Sequence, residues 1–370
     1  MKKVGFIGWR GMVGSVLLER MQAEGDFADI EPVFFTTSNV GGAPPSVGRE
    51  APPLQSAHDL EALRQLDIIV SCQGGDFTAE VHPALRKAGF RGYWIDAAST
   101  LRMRDDAVIV LDPVNRPVID AALDRGVLDL IGGNCTVSLM LMALAGPIRQ
   151  GWVEWISSMT YQAASGAGAR AMTELAQQMV HIADAARPVL DAPAKTALDL
   201  DRAIGDTLRS PDFPATELSV PLAASLIPWI DKPVELGQTR EEKKGFDETN
   251  KILGLNPPIP VDGICVRVAA MRCHSQGLTI KLKRDVPLDE IEGAIREAHA
   301  WVKLVPNEID ATKTLLSPAA VSGTLDVAIG RLRKMRMGPE YLTAFTVGDQ
   351  LLWGAAEPLR RALRIVLERA

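Results

Sequence analysis

A glycine-spaced turn near the start constrains this chain more than any other feature. Val4 to Ile7 is a short apolar run. Gly8, Gly11 and Gly14 follow, and then apolar residues recur at Val13, Val16, Leu17 and Met21. A run of strand length, a turn that glycine makes easily and a helical period predict strand, turn, helix. In an open α/β sheet this unit brings the free N–H groups of a helix N-terminus to a phosphate. The spacing is Gly8-x-x-Gly11-x-x-Gly14, not G-x-G-x-x-G, so the turn alone is weak evidence for a dinucleotide. Its place at the head of a series strengthens the reading. Glu31 to Ser38, Asp67 to Ser71, Gly92 to Ala97 and Val108 to Leu111 read as further strands, with helical patterns interleaved. The series predicts a doubly wound, mostly parallel sheet. Cys72-Gln73-Gly74-Gly75 is a second glycine turn at the C-terminal end of a strand, where ligands sit in such sheets.

The second strand ends in Thr36-Thr37-Ser38 with no carboxylate, and Arg10 lies in the first glycine turn. A carboxylate at that strand end would take the ribose hydroxyl of NAD. Hydroxyls with a guanidinium suit the 2′-phosphate of NADP.

The series closes on Gly132-Gly133-Asn134-Cys135-Thr136. The glycines permit a sharp turn, Asn134 is a good N-cap, and Cys135 falls in the first turn of a long apolar helix. Free N–H groups and the positive helix end are expected to lower the pKa of a thiol there and make it a nucleophile. The plain alternative is a small cysteine filling the core. Beyond this helix the grammar changes. Trp152 to Gln162 reads as a long strand, Ala163 to Ala169 as a small-residue turn, and a helix runs to about His181. Arg187 to Pro228 holds only short patterned runs. Arg240 to Lys244 looks helical. Val261 to Met271 and Gln276 to Lys283 read as strands, Leu288 to Val302 as a helix, and Val321 to Ile329 and Leu342 to Val347 as strands. A last helix covers about Asp349 to Glu368.

Bulk properties narrow the function classes. The formal net charge of -6 indicates no general affinity for nucleic acid or anionic membrane. No apolar run reaches the length of a membrane span, and no signal-peptide pattern opens the chain, so a reduced cytoplasm is expected. Four scattered cysteines without a C-x-x-C pair form neither a disulfide framework nor a zinc site, and no metal is expected.

A nucleophilic Cys135 needs an acid or base. Of the five histidines, His58, His82, His181 and His299 lie among charged residues and are expected at the surface. His274 lies at a turn between two strands. Alternation along the preceding strand places Cys265, Arg267 and Ala269 on one face. An arginine held mid-strand calls for a bidentate carboxylate, either a substrate's or that of a structural partner such as Glu241 or Asp262. A thiolate beside a nicotinamide cofactor can oxidise an aldehyde through a thiohemiacetal to a thioester, which a second nucleophile opens. A histidine would move the proton. Were the acceptor phosphate, further cations such as Arg102 and Lys244 would be needed.

At this point a family resemblance is evident. Gly5-Phe6-Ile7-Gly8-Trp9-Arg10-Gly11-Met12-Val13-Gly14, Gly133-Asn134-Cys135-Thr136, Tyr161 to Gly166, Pro228-Trp229-Ile230-Asp231, Arg267 to Ser275 and Gly348 to Gly354 resemble aspartate-β-semialdehyde dehydrogenases, nearest the Gram-negative bacterial branch. The resemblance runs nearly end to end. It implies Cys135 as acyl-thioester nucleophile and His274 as acid/base. Gln162, Arg267, Glu241 and Asn134 would hold the substrate, with Arg267 on its α-carboxylate and Glu241 on its α-amino group. Arg102 and Lys244 would hold phosphate. Arg10, Gly11, Met12, Val13, Thr37, Ser38, Gln73, Ser165, Gly166, Pro193 and Gln350 would line the NADP site. The implied reaction reduces L-4-aspartyl phosphate to L-aspartate 4-semialdehyde, for lysine, methionine and threonine synthesis. The implied assembly is a homodimer, or a dimer of dimers. The implied fold is an N-terminal Rossmann-like dinucleotide-binding domain (1–133), an inserted α+β catalytic and dimerisation domain (134–354) and a C-terminal helix (355–370) returning to the first.

Two other readings compete. An N-acetyl-γ-glutamyl-phosphate reductase would share the Cys–His pair, but its acetylated amine carries no charge for Glu241 to meet. A Cys–His acyltransferase without a redox cofactor would not need the glycine turn at Gly8. The end of the second strand generates the first prediction: kinetics with both cofactors should show a clear preference for NADP, and a preference for NAD would remove Arg10, Thr37 and Ser38 from that role.

Overall fold

The computed structural model describes residues 1–369. The strands, in chain order, are β1 (Lys2–Ile7), β2 (Ile30–Thr36), β3 (Gln55–Ser56), β4 (Ile68–Ser71), β5 (Tyr93–Asp96), β6 (Ala107–Val110), β7 (Asp129–Gly132), β8 (Val153–Gln162), β9 (Leu226–Ile227), β10 (Val261–Asp262), β11 (Cys265–Val268), β12 (His274–Leu282), β13 (Val302–Leu304), β14 (Val327–Met335) and β15 (Gly338–Gly348). The first seven form one sheet in the order β3-β2-β1-β4-β5-β7-β6, and every pairing in it is parallel. The chain leaves β1 toward β2 and returns to pair β4 on the other side of β1. The strand order therefore reverses at the C-terminal ends of β1 and β4, where a crevice opens. Both glycine turns lie there. Gly8 has φ +74, and a Cβ on it would stand 2.5 Å from the Cys72 carbonyl carbon, so this close crossing of the two turns requires glycine.

The second sheet is mixed, in the order β13-β14-β15-β12-β8-β11-β9, with β10 pairing β8. The helix Cys135–Arg149 lies against it and is buried from Thr136 to Pro147. It packs with Ile156, Leu278, Ile280, Ile329 and Leu342 in one core. An almost wholly apolar sequence from Leu139 to Ala145 is what such a central helix requires. The C-terminal helix Glu357–Arg369 returns to the first sheet, where Leu359, Leu363 and Val366 join Val4, Phe6 and Leu17. Arg360 to Asp26, Arg364 to Asp29 and Arg361 to Asp112 pin it there. The architecture is the expected one: a Rossmann-like α/β domain, a second mixed-sheet domain and a returning C-terminal helix.

Several local expectations are corrected. The expected strand Val261 to Met271 is two short strands, interrupted at Gly263. Pro318–Val321 is a short helix, and the next strand begins only at Val327. The last helix does not start at Asp349. A π-helical turn over Leu352–Ala356 precedes it, and Pro358 lies in the first turn of the helix proper. Within the stretch read as unpatterned, Thr196 and Asp199 form a reciprocal capping box that starts the helix Ala197–Leu208. His82 is buried, not at the surface. Its Nε2 meets Asp129 at 3.0 Å, and Arg86 donates to the other oxygen of that carboxylate. Tertiary pairing of this kind leaves no local periodic signal. No helix among the described residues is long and apolar enough to cross a membrane.

Leu363 is 1% exposed in the core of the first domain. Leu363→Ala should therefore cost about 2–5 kcal/mol of stability, measured by urea unfolding. A loss below about 1 kcal/mol would show that the C-terminal helix is not an integral layer of that core.

Candidate active site

The site is built from the N-cap of the helix that carries Cys135 outward. Asn134 Oδ1 accepts from the backbone N–H groups of Thr136 and Val137, at 3.0 and 3.2 Å, and from the Thr136 hydroxyl. Its amide Nδ2 donates to Glu241 Oε1 at 2.9 Å. Gln162 Nε2, at the end of β8, donates to the same oxygen at 3.0 Å, and Lys244 Nζ donates to Glu241 Oε2 at 2.8 Å. Glu241 and Lys244 come from the helix Arg240–Leu253, whose start is set by a capping box between Thr239 and Glu242. Burial acts to raise the Glu241 pKa, but the charge and hydrogen bond of Lys244, with those of Asn134 and Gln162, hold it at about 2. Glu241 is therefore a fixed anion.

Arg267, on β11, is buried and donates through Nη1 to the Ala163 carbonyl at 2.8 Å. The alternative of a structural ion pair to Glu241 or Asp262 is not realised among the described residues. Asp262 instead accepts from Gln238, and Arg267 has no carboxylate partner among the described residues. His274 begins β12. The Ala163 N–H donates to its Nδ1 at 3.0 Å, so the neutral ring carries its proton on Nε2, which is buried without a protein partner. Burial and the nearby Arg267 charge push its pKa down to about 3, so the ring is neutral at pH 7. A Cβ on Gly166 would lie within 3.0 Å of both Arg267 Nη1 and His274 Nε2, which shows how closely these groups converge.

The expectation of a lowered thiol pKa is not met. Burial, with the Glu241 carboxylate nearby, pushes Cys135 up to about 12, and Lys244, Arg267 and Arg102 offset only part of this. The cap supplies a second reason. The N–H groups expected to face the thiol already donate to Asn134. The other side of Cys135 is closed by the π-helical turn: a Cβ on Gly354 would stand 2.5 Å from the Cys135 Cβ.

Arg102 is more firmly held than a loop cation. Its Nε donates to the Gly132 carbonyl at 2.6 Å, Nη2 to the Ala97 carbonyl at 3.1 Å and Nη1 to Glu248 at 3.1 Å. One cleft of about 270 Å³ brings together Met12, Val13, Arg102, Asn134, Cys135, Ser165, Gly166, Glu241, Lys244 and Gln350. Gln350 is set by its Nε2 bond to the Ser165 hydroxyl and accepts from the Cys273 N–H at 2.8 Å. A neighbouring pocket over the strand-order reversal holds Arg10, Gly11, Thr37 and Gln73. There Arg10 Nη2 donates to Thr36 Oγ1 at 2.6 Å and to Ser38 Oγ at 3.0 Å. Pro193 is exposed beyond the helix Ala169–Asp191 and lines neither cavity.

Sequence reasoning missed three supporting groups. Glu248 is buried between Arg102 and the Asn134 backbone. Gln276 joins β12 to the nucleophile helix by donating to the Thr136 carbonyl at 2.7 Å. Asp349 is buried against Arg272 at 2.7 Å. Only Glu248 had a readable signal, since it stands two helical turns after Glu241.

Comparison with known proteins follows the same lines. Residues 3–122 match the family model of the semialdehyde dehydrogenase NAD binding domain, and residues 145–353 that of the semialdehyde dehydrogenase dimerisation domain. The fold and these matches define a semialdehyde dehydrogenase-type oxidoreductase. The structure of aspartate semialdehyde dehydrogenase from Francisella tularensis is 48% identical, with 99% of this chain and 100% of that chain aligned at a TM-score of 0.94. Aspartate semialdehyde dehydrogenase II from Vibrio cholerae, complexed with ASA, shares the fold at 24% identity and a TM-score of 0.81, covering 100% and 98% of the two chains. The Candida albicans enzyme with NADP shares it at 14% identity and 0.67, covering 100% of each chain. The chain belongs to the aspartate semialdehyde dehydrogenase family and is a dehydrogenase of that kind.

The titration pattern is testable without substrate. Alkylation of Cys135 by iodoacetamide, followed by mass spectrometry in the ligand-free protein, should rise about tenfold per pH unit from pH 6 to 9 without a plateau. A plateau at or below pH 8 would show that the thiol is already activated at rest.

Proposed function

We propose that this chain catalyses the reversible, NADP-dependent reductive dephosphorylation of L-4-aspartyl phosphate to L-aspartate 4-semialdehyde through an acyl-thioester on Cys135. The observation that carries this reading is the charge pattern in and behind one cleft. Arg267 is a buried guanidinium without a carboxylate partner among the described residues, set behind the cleft wall at Gly166; Glu241 lines the cleft as a buried fixed anion, and Arg102 and Lys244 line it as cations on the side of Cys135. A bidentate α-carboxylate suits the first, an α-ammonium the second and a phosphoryl group the pair. An acetylated amine would bring no charge of its own to Glu241, which would then meet only Lys244.

NADP is favoured over NAD because Arg10 is held by Thr36 and Ser38 with no carboxylate at the end of β2. Met12, Val13, Ser165, Gly166 and Gln350 would hold its nicotinamide end beside Cys135, and the cofactor when bound would supply the hydride chemistry there. Arg10, Gly11, Thr37, Ser38 and Gln73 would hold its phosphate end.

In the direction of aldehyde oxidation, Arg267 and Glu241 orient the substrate so that its aldehyde carbon faces Sγ of Cys135. The Cys135 thiol and the His274 imidazole are both neutral at pH 7, so the thiol proton leaves as Sγ attacks and not before. The resting tautomer of His274 offers an Nε2 proton to the carbonyl oxygen. Accepting the thiol proton at that nitrogen needs the other tautomer, and therefore release of the Ala163 N–H by a small rotation of the ring. Loss of hydride from the thiohemiacetal carbon, with its hydroxyl proton passing to His274 Nε2, would leave the thioester. Phosphate held by Arg102 and Lys244 then attacks it and returns the thiol.

We infer the domain bounds 1–133, 134–354 and 355–370, with the first and last parts binding cofactor and the middle part catalysing and dimerising. A homodimer is supported by the match to a dimerisation domain and by exposed Met159 and Tyr161 on the outer face of β8. Tyr161 stacks on Phe345 of β15 there, at 6.2 Å between centroids. We infer that the proposed reaction serves lysine, methionine, threonine and isoleucine synthesis in the cytoplasm.

The test is NADP reduction by the purified protein with L-aspartate 4-semialdehyde, with and without phosphate, beside Cys135→Ala. Reduction should require both phosphate and the thiol, and Cys135→Ala should keep NADP binding. Reduction without phosphate would make water the acceptor and take Arg102 and Lys244 out of their roles.

A further inference from the structure

The helix Arg240–Leu253 carries two buried carboxylates, Glu241 and Glu248, seven residues apart. Seven residues are close to two full turns, so both project from one face. That face meets the start of the helix carrying Cys135, and both carboxylates grip the same residue. Glu241 takes the Asn134 side-chain amide. Glu248 Oε2 accepts from the Asn134 backbone N–H at 2.6 Å. The other oxygen of Glu248 accepts from Arg102 Nη1 at 3.1 Å. Glu248 is 2% exposed, and its charge also reaches Lys244, whose pKa it helps to raise.

We propose that Glu248 is a positioning residue for the phosphate subsite, fixing the Arg102 guanidinium and the Asn134 N–H against each other so that anion site and nucleophile share one register. This rests on the reading of Arg102 as a phosphate ligand. A buried carboxylate is tolerated only if charged or strongly polar donors satisfy it, and Glu248 has one on each oxygen. Those donors leave neighbouring strands of the first sheet: Arg102 follows β5, and Asn134 follows β7 and caps the helix that carries Cys135. No other described side chain hydrogen-bonds to both. Arg102 spends three donors on Gly132, Ala97 and Glu248, and its remaining N–H groups are left for a ligand. Without Glu248 the guanidinium would keep only two backbone carbonyls and could turn toward Glu241, which the proposed function reserves for the substrate amine.

Glu248→Gln keeps the size but can accept at one position only, and it sets an amide donor against either Arg102 or the Asn134 N–H. Glu248→Asp keeps the charge but is one methylene too short to reach both. The measurement is steady-state NADP reduction in the presence of phosphate. It covers wild type, Glu248→Gln, Glu248→Asp, Arg102→Gln and the double variant Arg102→Gln/Glu248→Gln. Thermal melting checks folding.

KM for phosphate should rise about tenfold or more in Glu248→Gln and in Glu248→Asp, with KM for NADP within about twofold of wild type. The double variant should be no worse for phosphate than Arg102→Gln alone, because Glu248 acts through Arg102. A merely structural Glu248 would lower the melting temperature and kcat, leave KM for phosphate unchanged and multiply with Arg102→Gln. Either of the last two results overturns the proposal. An unchanged phosphate KM in Arg102→Gln, with a phosphate-dependent wild type, overturns the reading of Arg102 and this inference with it. A changed KM in Arg102→Gln beside an unchanged one in both Glu248 variants overturns this inference alone. Should Glu248→Gln fail to fold, Glu248→Asp decides the same comparison.

Discussion

The active-site half of the molecule depends on how one asparagine distributes its hydrogen bonds. Asn134 caps the nucleophile helix with its side-chain oxygen, holds Glu241 with its side-chain nitrogen and gives its backbone N–H to Glu248. Each bond alone is ordinary in strength. Together they fix a helix end against a second helix and, through Glu248, against Arg102 of the first domain. Leaving any one of these buried partners unpaired would cost far more than the bond contributes, and this cost is what locks the arrangement.

Burial then sets the chemistry of the resting site. Desolvation favours the neutral forms of Cys135 and His274, while Glu241 stays ionised because Lys244 and two amides compensate for its burial. The cleft therefore holds a neutral thiol, a neutral imidazole and fixed charges of both signs. In the proposed function such a thiol attacks only as its proton leaves.

The long-range order of the chain serves the same end. The first sheet ends its strands under the cleft, the second supplies His274 and Arg267, and the π-helical turn at Leu352–Ala356 brings Gly354 against Cys135 before the chain returns to the first sheet. Close contact at Gly354 and the return of Leu359 and Leu363 to the first core are consecutive events along the chain. The nucleophile and the last helix are thus positioned by one short segment.

The alternation of apolar runs, glycine turns and helical periods determined the parallel sheet and its order of elements, because period and turn chemistry are local. The cap of Asn134 and the candidate nucleophile Cys135 were legible for the same reason. Spacing alone told nothing of Glu248, of Gln276 behind the nucleophile helix or of the buried His82–Asp129 pair, whose partners are distant in sequence. It also gave the wrong sign for the Cys135 pKa. A helix N-terminus lowers a thiol pKa where its N–H groups are free. Here the cap took those groups, and the nearby Glu241 carboxylate opposes a thiolate. Local pattern specifies which residues start a helix or end a strand; the dielectric around a buried group and the identity of its distant partners exist only once the chain has folded.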